Sequence, residues 1–269
     1  MYVTVVDQAG APVQSLTPSD VIVREDNVSR EVLRVVPAED PMQIAILVDT
    51  SATARDDIAY IREALPPFVA ALTSGDAGAK NQIALVGIGE RPTILTDYTS
   101  NRATLQKGID RVWSTTGSGA YLVDAVFETS QGFTKRDAKR PVIVAIVAEG
   151  QESSYKFYDQ VLTPLRNTGA AFHVLMLGTP ATERTDEDRS RATVLDEGTR
   201  TTGGSREQVL TPLGLKTRLA QLADVLMHQY RVTYARPQTL IPPEHITVSA
   251  KKAELTARGT VINDPQTRP

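Results

Sequence analysis

The sequence predicts an α/β protein in which a doubly wound, mostly parallel sheet is inserted into a small β-sandwich built from both ends of the chain. Three observations predict it. Continuous apolar runs, Ile44 to Val48 and Val142 to Ala148 among them, have the length and lack of alternation of strands covered on both faces. Segments with apolar residues at helical spacing stand between such runs, the order of a parallel sheet with crossover helices. The first forty residues and those from 229 onward show short, alternating stretches broken by turn residues, as antiparallel strands do.

Taken in order, Val3 to Val6, Pro12-Val13, Val21 to Val23 and Val32 to Val36 read as four short strands, with turn chemistry at Asp7-Gln8-Ala9-Gly10 and Glu25-Asp26-Asn27. Gln43 to Val48 is a buried strand that ends in Asp49. Asp56 to Leu72 is amphipathic through Ile58, Ile61, Leu65, Val69 and Leu72, and its Pro66-Pro67 pair predicts a break or kink. Ile83 to Ile88 is a strand, and helices follow over Asn101 to Val112 and Ala120 to Phe133. Val142 to Ala148 is a strand, Tyr155 to Arg166 a helix, Ala171 to Leu177 a strand, and Thr182 to Thr201 and Leu213 to Met227 are helical. Tyr230 to Tyr234 alternates, 237–243 is a loop, and Ile246 to Ala250 with Glu254 to Val261 reads as a hairpin. The expected organisation is a sandwich from 1–40 plus 229–262, an α/β domain over 41–228, and a C-terminal tail over 263–269.

Composition excludes several classes of function. A net charge of -3 leaves no positive field to attract nucleic acid. No apolar run approaches the roughly 20 residues of a membrane helix, so membrane insertion is not expected. The absence of cysteine removes thiol catalysis and cysteine-ligated zinc. Residues 1–6 lack the basic and apolar regions of a signal peptide.

The chemistry-bearing constellation is Asp49-Thr50-Ser51-Ala52-Thr53. It lies where the first buried strand meets the first helix, the edge at which open α/β sheets bind ligands. A carboxylate with hydroxyls two and four residues on offers three hard oxygen donors, which suit Mg²⁺, Mn²⁺ or Ca²⁺ better than zinc. The same residues are also good helix caps, and that structural role stands beside the cation reading.

Asp-x-Ser-x-Ser after an apolar strand is the signature of the metal-ion-dependent adhesion site, and in Asp49, Ser51 and Thr53 this chain resembles the von Willebrand factor A-type domains that carry it. The resemblance extends to Val3-Thr4-Val5-Val6-Asp7, Gly10-Ala11-Pro12-Val13, Arg24-Glu25-Asp26, Gly203-Gly204, Gln229-Tyr230 and Ala257-Arg258-Gly259, which are similar to a bacterial subfamily with flanking β-rich segments. It implies a Rossmann-like fold and a non-enzymatic protein-binding or adhesion module. Its metal ligands would be Asp49, Ser51, Thr53 and Glu149, and its partner-binding rim Ser118, Gly119, Ala120 and Tyr121. The partner would be a protein whose acidic side chain completes the coordination of a Mg²⁺, Mn²⁺ or Ca²⁺ ion, and the location would be extracytoplasmic (periplasmic, cell-surface or secreted).

Two positions depart from the family pattern. Ala120 stands where a threonine ligand is expected, and Glu149-Gly150 replaces Asp-Gly. Mg²⁺, which demands near-ideal octahedral geometry, should suffer most from such losses. A damaged but working site and a vestigial one are both open readings, and the second points to a metal-independent structural or assembly module. A metal-dependent hydrolase would need Glu149 as its base.

Other features read as structural. His173 sits in an apolar strand, and His228 and His245 are too far away in sequence to suggest a histidine metal site. Ser51 lacks a nucleophile elbow, and Gly117-Ser118-Gly119 lacks the ending of a phosphate loop and reads as a turn beside Asp49. Glu183 to Arg191 is expected to be a solvated mixed-charge stretch, and Trp113 to pack in the core.

Overall fold

The computed structural model describes residues 1–180, 182, 185–236, 243 and 245–260. The elements begin with β1 (Tyr2–Val6), β2 (Val21–Glu25), β3 (Val28–Arg30), β4 (Val32–Pro37) and β5 (Gln43–Val48). Next are α1 (Ile58–Leu72), the single turn α2 (Gly75–Gly78), β6 (Gln82–Gly87), β7 (Thr93–Thr99), α3 (Arg102–Ile109) and α4 (Leu122–Arg136). Then come β8 (Pro141–Ala148), α5 (Tyr158–Asn167), β9 (Ala171–Leu177), α6 (Asp186–Thr201), β10 (Arg206–Val209) and α7 (Leu215–Met227). The chain closes with β11 (Tyr230–Tyr234), β12 (Ile246–Ala250) and β13 (Thr256–Thr260). The sequence-based loop residues 237–242, strand residue Val261, the tail 263–269, and Glu183 and Arg184 lie outside the described residues. Contacts divide the described residues into two compact units, one of Met1–Glu39 with Gln221 to Thr260, the other of Asp40–Ala220.

Apart from the end of α7, the first unit is built of β-strands. A four-stranded antiparallel sheet, β13-β1-β11-β4, and a three-stranded antiparallel sheet, β12-β2-β3, enclose Val3, Val5, Val21, Val23, Tyr230 and Val232. Alternation explains the pairing of faces. Val21 and Val23 are buried while Ile22 and Arg24 between them are only partly covered, so one side of the sheet serves the core. Asp26 and Asn27 both take positive φ (47° and 66°), which makes the tight turn between β2 and β3. Four strands do precede Pro41, but one of them is β3 in place of the expected strand at Pro12-Val13, where Pro12 makes only an isolated bridge to Val6. The expected terminal hairpin is also corrected. β12 pairs with β2 and β13 with β1, so the two consecutive strands belong to different sheets.

The second unit is the α/β domain. Its six strands run β10-β9-β8-β5-β6-β7, all neighbours parallel except the antiparallel β6–β7 pair. β8 and β9 are buried at every residue, because helices cover both faces. On one face Leu47, Ile143, Ala145, Val147, Phe172 and Val174 pack against α4, α5 and α6 through Val123, Val126, Phe133, Leu165 and Val194. The alternate residues Ile44, Ile46, Val142 and Val144 are equally buried and serve the other face, to which α1 and α3 bring Ile61, Leu65, Phe68, Leu105 and Ile109.

Pro66 and Pro67 do not end α1, contrary to the expected break: the helix continues to Leu72. Pro67 is exposed and Pro66 half-buried, so the carbonyls deprived of a partner lie toward water, while Ile61, Leu65, Phe68 and Leu72 anchor both halves to the sheet. The edge strands β7 and β10 were not read from the sequence. Both have mixed polar composition and are held by one neighbour each.

Candidate functional site

The strand order reverses between β5 and β8, and the loops after these two strands carry Asp49 and Glu149. Asp49 is 1% exposed. Its Oδ1 accepts from the Ser51 amide (2.8 Å) and its Oδ2 from the Ala148 amide (3.0 Å), so the carboxylate ties the two strand ends together rather than capping a helix. Burial pushes its carboxyl up from the ordinary range, and the Ser51 and Ala148 amides and the charge of Arg191 work against that rise. The Ser51 hydroxyl is buried beside this carboxylate and has no hydrogen-bond partner of good geometry. Thr53 is exposed and lies against the backbone of Gly150. A side chain at Gly150 would meet Thr53 Oγ1 at 2.6 Å, so glycine is required for this approach.

The rim residues close over these loops. The Ser118 carbonyl accepts from the Ala52 amide (3.0 Å), and the Thr50 carbonyl from Thr115 (2.7 Å), which sets the Gly117-Ser118-Gly119 turn beside Asp49. The Ser118 hydroxyl donates to the Thr115 carbonyl, and Arg55 donates to Thr116 Oγ1, so neither hydroxyl replaces the missing threonine. A Cβ on Gly119 would meet Ser153 Oγ at 2.0 Å. Ala120 is buried, bridging Gly89 on one side and Glu152 on the other, and offers no side-chain oxygen. Tyr121 stacks at a tilt on Tyr155, with ring centroids 6.0 Å apart, and Tyr155 is 82% exposed.

Glu149 does not stand alone at the end of β8. Its Oε1 accepts from Gln208 Nε2 (3.2 Å) and its Oε2 lies 3.8 Å from an Arg191 nitrogen. Arg191 is 7% exposed and its Nη1 has no hydrogen-bond partner. This corrects the reading of Glu183 to Arg191 as a solvated stretch. From Asp186 it is the first part of α6, and Asp188, Ser190 and Arg191 are all buried. Asp188 Oδ1 accepts from the Glu152 amide and Ser190 Oγ from the Tyr158 amide, so this polar face of α6 secures the loop between β8 and α5.

Three further acidic or hydroxyl side chains escaped the sequence reading. Glu152 and Ser154 accept from the Val123 and Asp124 amides at the start of α4, which has no side-chain cap of its own. Asp124 accepts in return from the Tyr155 and Lys156 amides (3.1 and 2.9 Å) and fixes the loop that presents Tyr155. Burial pushes the Glu152 carboxyl up to about 7, against the Ser154 hydroxyl and the Arg191 charge. The only advance signal was the acidic first turn of α4; nothing local marks Glu152 or Arg191.

The other features fall away from this edge. His173 is buried in β9 with Nδ1 3.0 Å from Ser205 Oγ, and His228 pairs with Asp224 at the end of α7. Trp113 is not in the core: it is 63% exposed, with the Arg62 guanidinium 4.4 Å over its ring.

The donor set does not fit a divalent cation as it stands. Ala120 is silent, Glu149 faces Arg191 and Gln208, and a buried guanidinium already occupies the acidic neighbourhood. No group of three or more His, Cys, Asp or Glu suited to hold a metal occurs among the described residues.

Residues 44–151 match the family model of the von Willebrand factor type A domain. No curated protein matches the chain by sequence. Among solved structures it is similar to a von Willebrand factor type A protein from Catenulispora acidiphila, at 11% identity and TM-score 0.60, over 96% of this chain and 64% of that one. It is also similar to proximal thread matrix protein 1 from the mussel byssus with a zinc-occupied MIDAS motif, at 15% identity and TM-score 0.58, over 76% of this chain and 50% of that one. A third is the PilB minor pilin from Streptococcus sanguinis, at 9% identity and TM-score 0.54, over 71% and 62%. The chain thus spans about half the length of the mussel protein. The matched segment runs from β5 through β8, so this part of the chain is a von Willebrand factor type A domain, and the solved structures share its fold.

Proposed function

We propose that the chain is a non-enzymatic protein-binding module whose contact surface is the loop edge around Asp49, Ser118 to Tyr121 and Tyr155. The observation that carries the reading is Tyr155. It is a large aromatic side chain, 82% exposed, packed on Tyr121 and held on a loop whose backbone is tied down by Asp124. Aromatic side chains presented on pre-ordered backbone lose little entropy on binding and are over-represented among the residues that dominate interface energies. The type A domain supports the same class of function, and the resemblance to extracytoplasmic bacterial members supports a location outside the cytoplasm.

The non-enzymatic part of the reading rests on the groups at this edge. The Ser51 hydroxyl lies beside the Asp49 carboxylate, His173 and His228 pair elsewhere with Ser205 and Asp224, and Glu149 is engaged by Arg191 and Gln208. A partner captured by the wild-type chain from extracts of its source organism, in EDTA, provides the test. Tyr155→Ala is expected to weaken that complex about 10–100-fold while leaving the thermal midpoint unchanged. Equal affinity for both proteins would move the contact away from this edge.

A further inference from the structure

We infer that Arg191 is a built-in replacement for the divalent cation of the metal-ion-dependent adhesion site, supplying from within the chain the positive charge against which Asp49 and Glu149 are held. Four observations converge on it. Arg191 is buried on α6, with its guanidinium 3.8 Å from Glu149 Oε2. Asp49 Oδ2 accepts from the Ala148 amide (3.0 Å), the residue before Glu149, so both carboxylates stand at the strand end that Arg191 reaches. One of its terminal nitrogens makes no hydrogen bond, so the group is placed by charge more than by a full set of donor contacts. The residue at the expected threonine position, Ala120, has no oxygen to offer an ion.

The physical case follows from what each charge needs. Buried carboxylates need a compensating charge, since desolvation without one is costly. A dication and an arginine are alternative solutions, and they exclude one another. A guanidinium remains charged at every accessible pH and is weakly hydrated, so it tolerates burial better than an ammonium. A dication entering beside it would face like-charge repulsion at a few ångström in a medium of low effective dielectric. The altered residues are then coherent rather than simply damaged. With the charge supplied by α6, the threonine oxygen at position 120 has no ion to ligate, and the longer Glu149 reaches toward the arginine.

The test uses EDTA-treated full chain without any partner, so its outcome is independent of the protein-binding reading. Titration of Mg²⁺, Mn²⁺ or Ca²⁺ into the wild type is expected to give no saturable one-site heat. Arg191→Met should lower the thermal midpoint by on the order of 10 °C and should then respond to millimolar Mn²⁺ or Ca²⁺ with a rise in that midpoint, because the freed acidic cluster now lacks its counter-charge. The rise should vanish in Arg191→Met/Asp49→Ala. If Arg191→Met does not fold, Arg191→Met/Glu149→Gln is the readout: a folded double variant supports charge compensation. Asp49-dependent, saturable ion binding by the wild type overturns the inference. So does a double variant as unstable as Arg191→Met, which would make Arg191 a packing residue.

Discussion

Among the described residues, a shielded glutamate meets arginine on β2 and at the end of β8, and the two sites are built differently. In the β-sandwich, Glu25 on β2 is 2% exposed and is met by Arg30 Nε at 2.9 Å, Arg236 Nε at 3.3 Å and the Tyr234 hydroxyl at 3.1 Å. Both arginines reach solvent, so one carboxylate is served by several donors whose own charges stay hydrated. At the end of β8 the proportions are reversed: one deeply buried arginine meets Glu149 at 3.8 Å, and Asp49 and Glu152 lie buried on the adjoining loops. The first arrangement is a satisfied structural cluster. The second keeps an excess of acid under a protein edge, which costs stability and is retained only where the arrangement has another use. The same comparison separates ion pairs that hold a fold together from charges that mark a site.

Removing the buried cation should have the largest effect. Arg191→Met leaves buried carboxylates uncompensated and is expected to cost about 3–5 kcal/mol in chemical denaturation. Glu25→Gln, which keeps the shape and some of the hydrogen bonds, should cost about 1.5–3 kcal/mol. Hydrogen exchange would show that loss as weakened protection of the β2 amides, with Ile44 to Val48 unaffected. Equal losses spread over both units would undo the distinction between the clusters.

Glu152 gives the comparison a pH dependence. Its folded carboxyl, pushed up to about 7 by burial, binds a proton that the unfolded chain has already released above its ordinary range near 4.5. The folded state therefore holds more protons between these values, and this residue makes stability fall as pH rises from about 4.5 to about 7. Above that window its contribution is constant. Glu152→Gln should flatten this slope and be the more stable protein at pH 8, by on the order of 1–3 kcal/mol. A wild-type slope that persists in the variant would assign it to another group. Trp113→Ala should be the mildest change, about 0.5–1 kcal/mol for the lost Arg62 stacking, as read from the denaturation midpoint.

Much of this was legible before the structure because it is encoded locally. The run Gln43 to Val48 announces a strand buried on both faces, and it is one; Asp49 follows it to the sheet edge for the same reason. Ala171 to Leu177 is a strand with the bounds that its apolar run suggests. Where local signals failed, a tertiary effect overrode them. Pro66 and Pro67 should interrupt α1, yet the apolar face on both sides of them is committed to the sheet. Thr93 to Thr99 carries no strand period strong enough to notice, and it becomes one because β6 offers it an unpaired edge.

By itself the sequence determined the class of fold, the central strands and the placing of Asp49, Ser51 and Thr53 on one loop, since periodicity and neighbouring residues suffice for these. Only the tertiary structure decided how the acidic edge is neutralised. Arg191 lies within a stretch whose charges, read in order, look solvated, and α6 turns that residue inward to Glu149. Burial and charge pairing are properties of what surrounds a side chain in space, and chain neighbours do not record them.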